Sequence, residues 1–255
     1  MKAFLSLLLV PLALTAQTDR TREDFEISGH KAFLIRPAKG VADCGKPWVW
    51  YAPTFQNKLP GGAEEWMFKQ FLAAGISIAG VDVGESYGSP AGRKVFQDLY
   101  LELSVKRGYS KKPVLLARSR GGLMHYSWAT EYPQNVSAIA GIYPVTDFTS
   151  YPGLAKASAA FGLTADQMGA KAKELNPVER AVVLAKAKVP VFHMHGDSDK
   201  VVPHTPNSAR LKETYDKADA PMVLQVIPGQ GHNMWEGWFH NQDLVDFVVR
   251  NAIGR

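Results

Sequence analysis

The sequence predicts an α/β fold: a mostly parallel sheet with helices on both faces. Three observations predict it. Short apolar runs rich in β-branched and aromatic residues alternate with helical patterns along most of the chain. No unit of about 20 to 50 residues repeats, which removes solenoids and tandem arrays. A chain of 255 residues, 46% hydrophobic, is long enough to bury one substantial core.

The start, "MKAFLSLLLVPLALTAQT", carries a cation at Lys2, an apolar stretch over 3–14 and small residues up to Ala16. It reads as a secretory signal peptide over 1–16, so the chain is expected to be periplasmic or secreted, with one domain over 17–255. The apolar run is short for a bilayer span, and no membrane partner is expected after its removal. Cys44 is the only cysteine. A disulfide within the chain is thereby excluded, and its loop-like setting, with no histidine beside it, gives no reason to read it as a nucleophile.

The elements follow in order. "FEISGHKAFLIRP" alternates as two early strands or a hairpin, and "PWVWYAP" is a buried strand. "AEEWMFKQFLAAG" is a helix stopped by glycine, and "ISIAGVDV" a strand. Next come the helix "AGRKVFQDLYLELSVKRG", the strand "PVLLARS", the helix "GGLMHYSWATEYP" and the strand "VSAIAGIYP". From about 152 to 188 the alternation lapses into an alanine- and leucine-rich stretch, expected to hold two or three short helices as an inserted cap. It resumes with the strand "VPVFHMHGD", the helix "NSARLKETYDKA", the strand "MVLQVIPG" and the helix "NQDLVDFVVRNAI".

The formal charge of +5 is spread along the chain. Only "KRGYSKK" clusters, and it reads as a solvated loop, so no nucleic-acid partner is expected.

The chemistry centres on Ser119 in "ARSRGG", a strand followed by a turn and a helix that opens on small residues. That arrangement is a nucleophile turn, with Ala117 where GxSxG has its first glycine. Serine needs a base in hydrogen-bond reach and an acid to orient it. His232 in "IPGQGHNMW" follows the last strand and two glycines, and Asp199 in "HMHGDSDKVVP" follows the strand before it. Asp197 and Asp147 are alternative acids. His125, His30, His204 and His240 lack a comparable setting.

With these residues placed, the chain resembles the α/β hydrolase superfamily, above all its dienelactone hydrolase and prolyl oligopeptidase branches. The likeness rests on the order Ser119, Asp199, His232, on "HGDSDKVVP" for HGxxDxxVP and on "GQGH" for GxGH. It implies a catalytic triad and no metal or organic cofactor. The usual His-Gly of the oxyanion loop is missing, and "YAPTF" stands there. Since Pro53 has no amide hydrogen, the first oxyanion donor is expected from the backbone of Thr54 or Phe55 and the second from Arg120.

"ARSRGG" is also similar to the Ser-Arg turn of glucuronoyl esterases, which implies sugar-linked or uronate esters, although the other motifs of that family are not apparent. The leading expectation is an exported carboxylic ester hydrolase acting on small-molecule or carbohydrate esters through an acyl enzyme. A peptidase of the prolyl oligopeptidase type and a noncatalytic binding protein are the alternatives.

Two further stretches have competing readings. His193, His195, Asp197 and Asp199 alternate like part of an HxHxD metal series, but Ser198 stands where a further histidine is needed. The plainer reading is a core strand leading to a turn. In the hydrolases that the chain resembles, the loop corresponding to 81–90 borders the active site, which implies Glu85, Ser86 and Tyr87 as substrate contacts; a simple turn held by small residues is the other reading. Trp235 and Trp238 read as a sugar platform or as packing. Oligomeric state leaves no mark in the sequence.

Overall fold

The computed structural model describes residues 21–39, 45–56 and 58–254. The expected signal peptide over 1–16 and Cys44 lie outside them. Among the described residues no helix is long and apolar enough to cross a membrane.

Eight strands form one sheet in the order β1-β2-β4-β3-β5-β6-β7-β8. β1 (Thr21–Ile27) and β2 (His30–Arg36) make an antiparallel hairpin. Its two-residue turn, Ser28 and Gly29, has φ of 51° and 79°. Two positive φ values give the turn a twist that suits the paired strands. β2 runs antiparallel to β4 (Ser77–Val81), and every later pairing is parallel: β4 with β3 (Trp48–Ala52), then β5 (Val114–Arg118), β6 (Ala138–Ile142), β7 (Val191–Gly196) and β8 (Met222–Ile227).

The parallel strands are buried on both faces, so they read as continuous apolar runs. Trp48, Trp50 and Leu115 face one side, where α2 (Pro90–Tyr100), α3 (Gly121–Ala129), α8 (Val182–Lys186) and α9 (Arg210–Lys217) supply Phe96, Trp128, Leu184 and Leu211. Val49, Tyr51 and Leu116 face the other, against α1 (Glu65–Ala73) and α10 (Gln242–Ile253). α2 begins at Pro90 because Ser89 caps it, accepting from the Gly92 amide at 3.3 Å. The helix then continues in a wider, π-helical form over Leu101–Lys106.

Between β6 and β7 the chain holds five short helices rather than two or three: α4 (Leu154–Ala160), α5 (Ala165–Ala170), α6 (Ala172–Leu175), α7 (Pro177–Arg180) and α8. The alanine-rich composition hides the breaks. Gly162, at φ 66°, lies between α4 and α5, and Pro177, which cannot continue a preceding helix, starts α7. These helices enclose a small separate cluster of Leu123, Val145, Phe148, Ala157, Met168 and Val202 beside the sheet's C-terminal edge.

Candidate active site

Ser119 follows β5 directly and has φ of 49°, a left-handed value unusual for a residue with a side chain. The surroundings hold it there: its amide donates to Ile142 O at 3.0 Å, and its carbonyl accepts from Val145 at 2.8 Å and Gly122 at 2.9 Å. The two glycines explain how α3 approaches so closely. A Cβ on Gly121 would lie 2.0 Å from Ala52 O, and one on Gly122 would lie 2.2 Å from Val145 O. Ala117, the departure from GxSxG, is fully buried and pairs in register with Ala52 and Gly141, so its methyl is accommodated within the sheet.

The three residues picked from sequence come together. Ser119 Oγ lies 2.8 Å from His232 Nε2, and His232 Nδ1 lies 2.8 Å from Asp199 Oδ2. The Tyr143 ring, 4.3 Å between centroids, covers His232, and fully buried Trp238 supports Tyr143 edge-on. Asp199 Oδ1 accepts from the amides of Val201 at 2.9 Å and Val202 at 2.8 Å. Burial opposes ionisation of Asp199, but contacts from His195, His232 and the Val202 amide outweigh it and hold its carboxyl well below the usual carboxylate range. The anion persists at neutral pH.

The rival acids are occupied elsewhere. Asp197 accepts from Ser198 Oγ and from the Gly229 amide, tying the turn after β7 to the turn that precedes His232. Asp147 accepts from Thr149 and from Asn176 Nδ2. His125 is buried among Trp50 and Phe96, and desolvation lowers its pKa to about 3. The ring nitrogens of His193 and His195 are engaged by Tyr126, Ser208 and Val202, which matches the core-strand reading of "HMHGD".

On the oxyanion side one expectation is corrected. The Phe55 amide donates to Leu59 O at 3.1 Å, closing a tight loop, and so is spent. The Thr54 hydroxyl turns back to Tyr51 O at 3.4 Å and belongs to the turn. The amides of Thr54 and Arg120 make no hydrogen bond to another described backbone or side-chain group. A cavity of about 210 Å³ holds Ser119 and His232 together with Pro53, Leu59, Tyr143 and Met234. A larger one, about 560 Å³, lies beyond the Thr54–Pro60 loop against β1 and β2 and contains none of the three residues.

The arginines beside Ser119 part company. Arg118 reaches Glu64 Oε1 at 2.6 Å, where the Tyr51 hydroxyl also donates at 2.6 Å, and its Nη2 lies 2.9 Å from Met234 Sδ. Arg120 pairs with Glu85 at the surface, its guanidinium 5.7 Å from the Phe55 ring centre. Sequence reading missed Glu64, Tyr143 and Met234: no motif surrounds them, and Glu64 is 54 residues from its partner. Trp238 is fully buried and is packing rather than platform.

The profile of the prolyl oligopeptidase family matches residues 104–250. No curated protein matches the chain in sequence. Among solved structures, the acylaminoacyl peptidase of Pyrococcus horikoshii superposes with a TM-score of 0.70 at 13% identity, over 93% of this chain and 42% of its own. Dipeptidyl peptidase 4 of Porphyromonas gingivalis gives 0.69 at 15% identity, over 91% of this chain and 35% of its own. Est1E of Butyrivibrio proteoclasticus gives 0.65 at 15% identity, over 92% of this chain and 99% of its own. The chain thus spans about two fifths of the length of the two peptidases. At such identities the likeness concerns the α/β hydrolase fold.

Proposed function

The chain belongs to the prolyl oligopeptidase family, and from that premise we propose that it is a serine hydrolase cleaving carboxylic esters through an acyl enzyme on Ser119. The observation that carries the proposal is the unbroken chain Ser119 Oγ–His232 Nε2 and His232 Nδ1–Asp199 Oδ2, each link 2.8 Å.

In the proposed reaction Ser119 Oγ attacks the ester carbon as His232 Nε2 accepts its proton. The carbonyl oxygen becomes an anion facing the amides of Thr54 and Arg120, where fixed donors stabilise charge as it develops. Collapse expels the alcohol, which takes the proton from His232, and water repeats the sequence to release the acid and regenerate Ser119. Asp199, ionised and already hydrogen-bonded, keeps His232 in the tautomer with its proton on Nδ1 and stabilises the imidazolium.

The ester preference rests on the small open cavity at Ser119, about 210 Å³, which offers room for a modest acyl group. Neutral esters suit it better than uronates, because the Arg120 guanidinium already holds Glu85 and a substrate carboxylate must displace that pair. The leader-like residues at the start of the sequence support export.

A peptidase is the second reading, favoured by the structural likeness to two peptidases. Rates on p-nitrophenyl acetate and on peptide anilides separate the two. Full activity in Ser119→Ala, or no labelling of Ser119 by a fluorophosphonate, removes both.

A further inference from the structure

A second hydrogen-bonded chain lies behind the acid. Tyr126 Oη is 2.8 Å from His193 Nε2, His193 Nδ1 is 3.0 Å from Ser208 Oγ, and Ser208 Oγ is 2.8 Å from His195 Nδ1. His195 Nε2 then lies 2.8 Å from Val202 O and 3.6 Å from Asp199 Oδ2, the same carboxylate oxygen that receives His232. Tyr126, His193, His195 and Ser208 are all fully buried. A Cβ at Gly141 would lie 2.6 Å from His193 Cδ2, so the bare glycine is what admits that ring.

The protons in this chain can be assigned from one end. Val202 O only accepts, so His195 Nε2 carries hydrogen, and in the neutral ring Nδ1 is then a lone pair. The Ser208 hydroxyl must donate to that lone pair, which leaves Ser208 Oγ to accept from His193 Nδ1–H. His193 Nε2 is then the acceptor for the Tyr126 hydroxyl. Burial lowers the pKa of His193 to about 3, keeping this ring neutral, as the assignment requires. Every donor has an acceptor, and the chain ends with an N–H that donates to Val202 O with Asp199 Oδ2 3.6 Å from the same nitrogen.

We propose that His195 is a positioning residue for the acid, its ring held by the Tyr126–His193–Ser208 chain so that Nε2–H donates to Val202 O and stands 3.6 Å from Asp199 Oδ2. The proposal rests on the serine hydrolase reading of the site. The chain ties α3, the helix that follows Ser119, to the loop carrying Asp199, so nucleophile and acid share one internal brace. The nearby N–H also draws part of the charge on Oδ2 away from His232.

Other charged and titratable groups face this cluster. His204 packs edge-on against His195 at 5.5 Å, and Asp197 lies in the same turn as Asp199. Tyr143 covers His232, Arg118 with its partner Glu64 stands behind Tyr143, and Arg120 borders the cavity. None of these changes in the variants that follow.

The test is the rate at which a fluorophosphonate labels Ser119 in the full chain as a function of pH. His195→Leu removes both nitrogens. Its acid limb moves to higher pH by about half a unit, because an unshared Oδ2 holds the imidazolium of His232 more firmly. In His195→Gln the side-chain amide supplies an N–H near the place of Nε2, and the limb stays at its wild-type position. A purely structural role leaves both limbs in place whatever the loss of stability. An unmoved limb in His195→Leu, or an equal shift in His195→Gln, overturns the proposal.

If His195→Leu does not fold, Ser208→Ala carries the test, with a smaller shift of the same sign expected and no shift overturning it. Wild-type protein that is not labelled at Ser119 overturns the serine hydrolase reading and this proposal together. Labelling with unmoved limbs overturns this one alone.

Discussion

Arg118 and Arg120 stand one residue to either side of Ser119, and each pairs with a glutamate, but the two pairs live in different media. The inner pair is enclosed: the Glu64 side chain is 0% exposed and that of Arg118 12%. Burial disfavours the Arg118 cation, yet Tyr51, Tyr143 and Glu64 around it hold its pKa above the ordinary value. The outer pair is wet, with 32% of the Arg120 side chain and 44% of the Glu85 side chain exposed. An exposed pair contributes at most about 1 kcal/mol, whereas breaking a buried one strands a charge in a poor solvent. The same residue type, two positions apart, therefore sits in a buried ion pair on one side of the serine and in an exposed one on the other.

In the proposed reaction neither guanidinium takes part in proton transfer, and the largest expected effect belongs to the acid that orients the base. Asp199→Asn leaves both ion pairs untouched but imposes the wrong tautomer on His232, so kcat on p-nitrophenyl acetate should fall about 10⁴-fold, as such a change does in a serine triad. A fall of only a few-fold would mean that another group orients the base.

Glu64→Ala comes next. It leaves Arg118 buried without its carboxylate and should cost about 3–5 kcal/mol in urea unfolding. A loss near that of Glu85→Ala would erase the distinction between the two pairs.

Burial has a second consequence that the arginines do not share, because it changes protonation. His125 and His193 are held neutral in the fold with pKa values of about 3. Between the unfolded histidine value of about 6.5 and about 3, the unfolded chain takes up a proton at each site that the folded chain refuses. Stability is therefore full above about pH 6.5 and declines as pH falls, by about 1.4 kcal/mol per unit for each histidine. Asp199, also depressed, adds a loss only below its unfolded value of about 3.8. Unfolding midpoints at pH 6.5, 5.5 and 4.5 measure the slope, which should be shallower in His125→Phe and would count against neutral burial if it were unchanged.

The smallest effect belongs to the outer pair. Arg120→Ala keeps the backbone amide proposed for the oxyanion, so stability should change by less than about 1 kcal/mol and kcat/KM on a neutral ester by less than about fivefold. A much larger loss in rate would bring the guanidinium into the reaction and reopen the case for anionic substrates.

The sequence by itself determined the order of strands and helices, the turn at Ser119, and the identity of Asp199 and His232 as its partners. Those features are local: a run of apolar residues buries a strand, glycines at 121 and 122 let a helix close on the sheet, and "HGDSDKVVP" folds its own turn around the aspartate. The helix count over 152–188 was less legible, since composition alone does not show where an alanine-rich stretch breaks.

The tertiary structure decided which polar groups are used up and which are left. Phe55 was an equal candidate to Thr54 until the loop closed and Leu59 took its amide. Glu64 finds Arg118 across 54 residues, and Ser208 joins two histidines only because the π-helical segment Thr205–Ala209 that leads into α9 packs on β7. Hydrogen bonds and ion pairs are settled by distances of about 3 Å, and between residues far apart in sequence those distances exist only once the chain is folded.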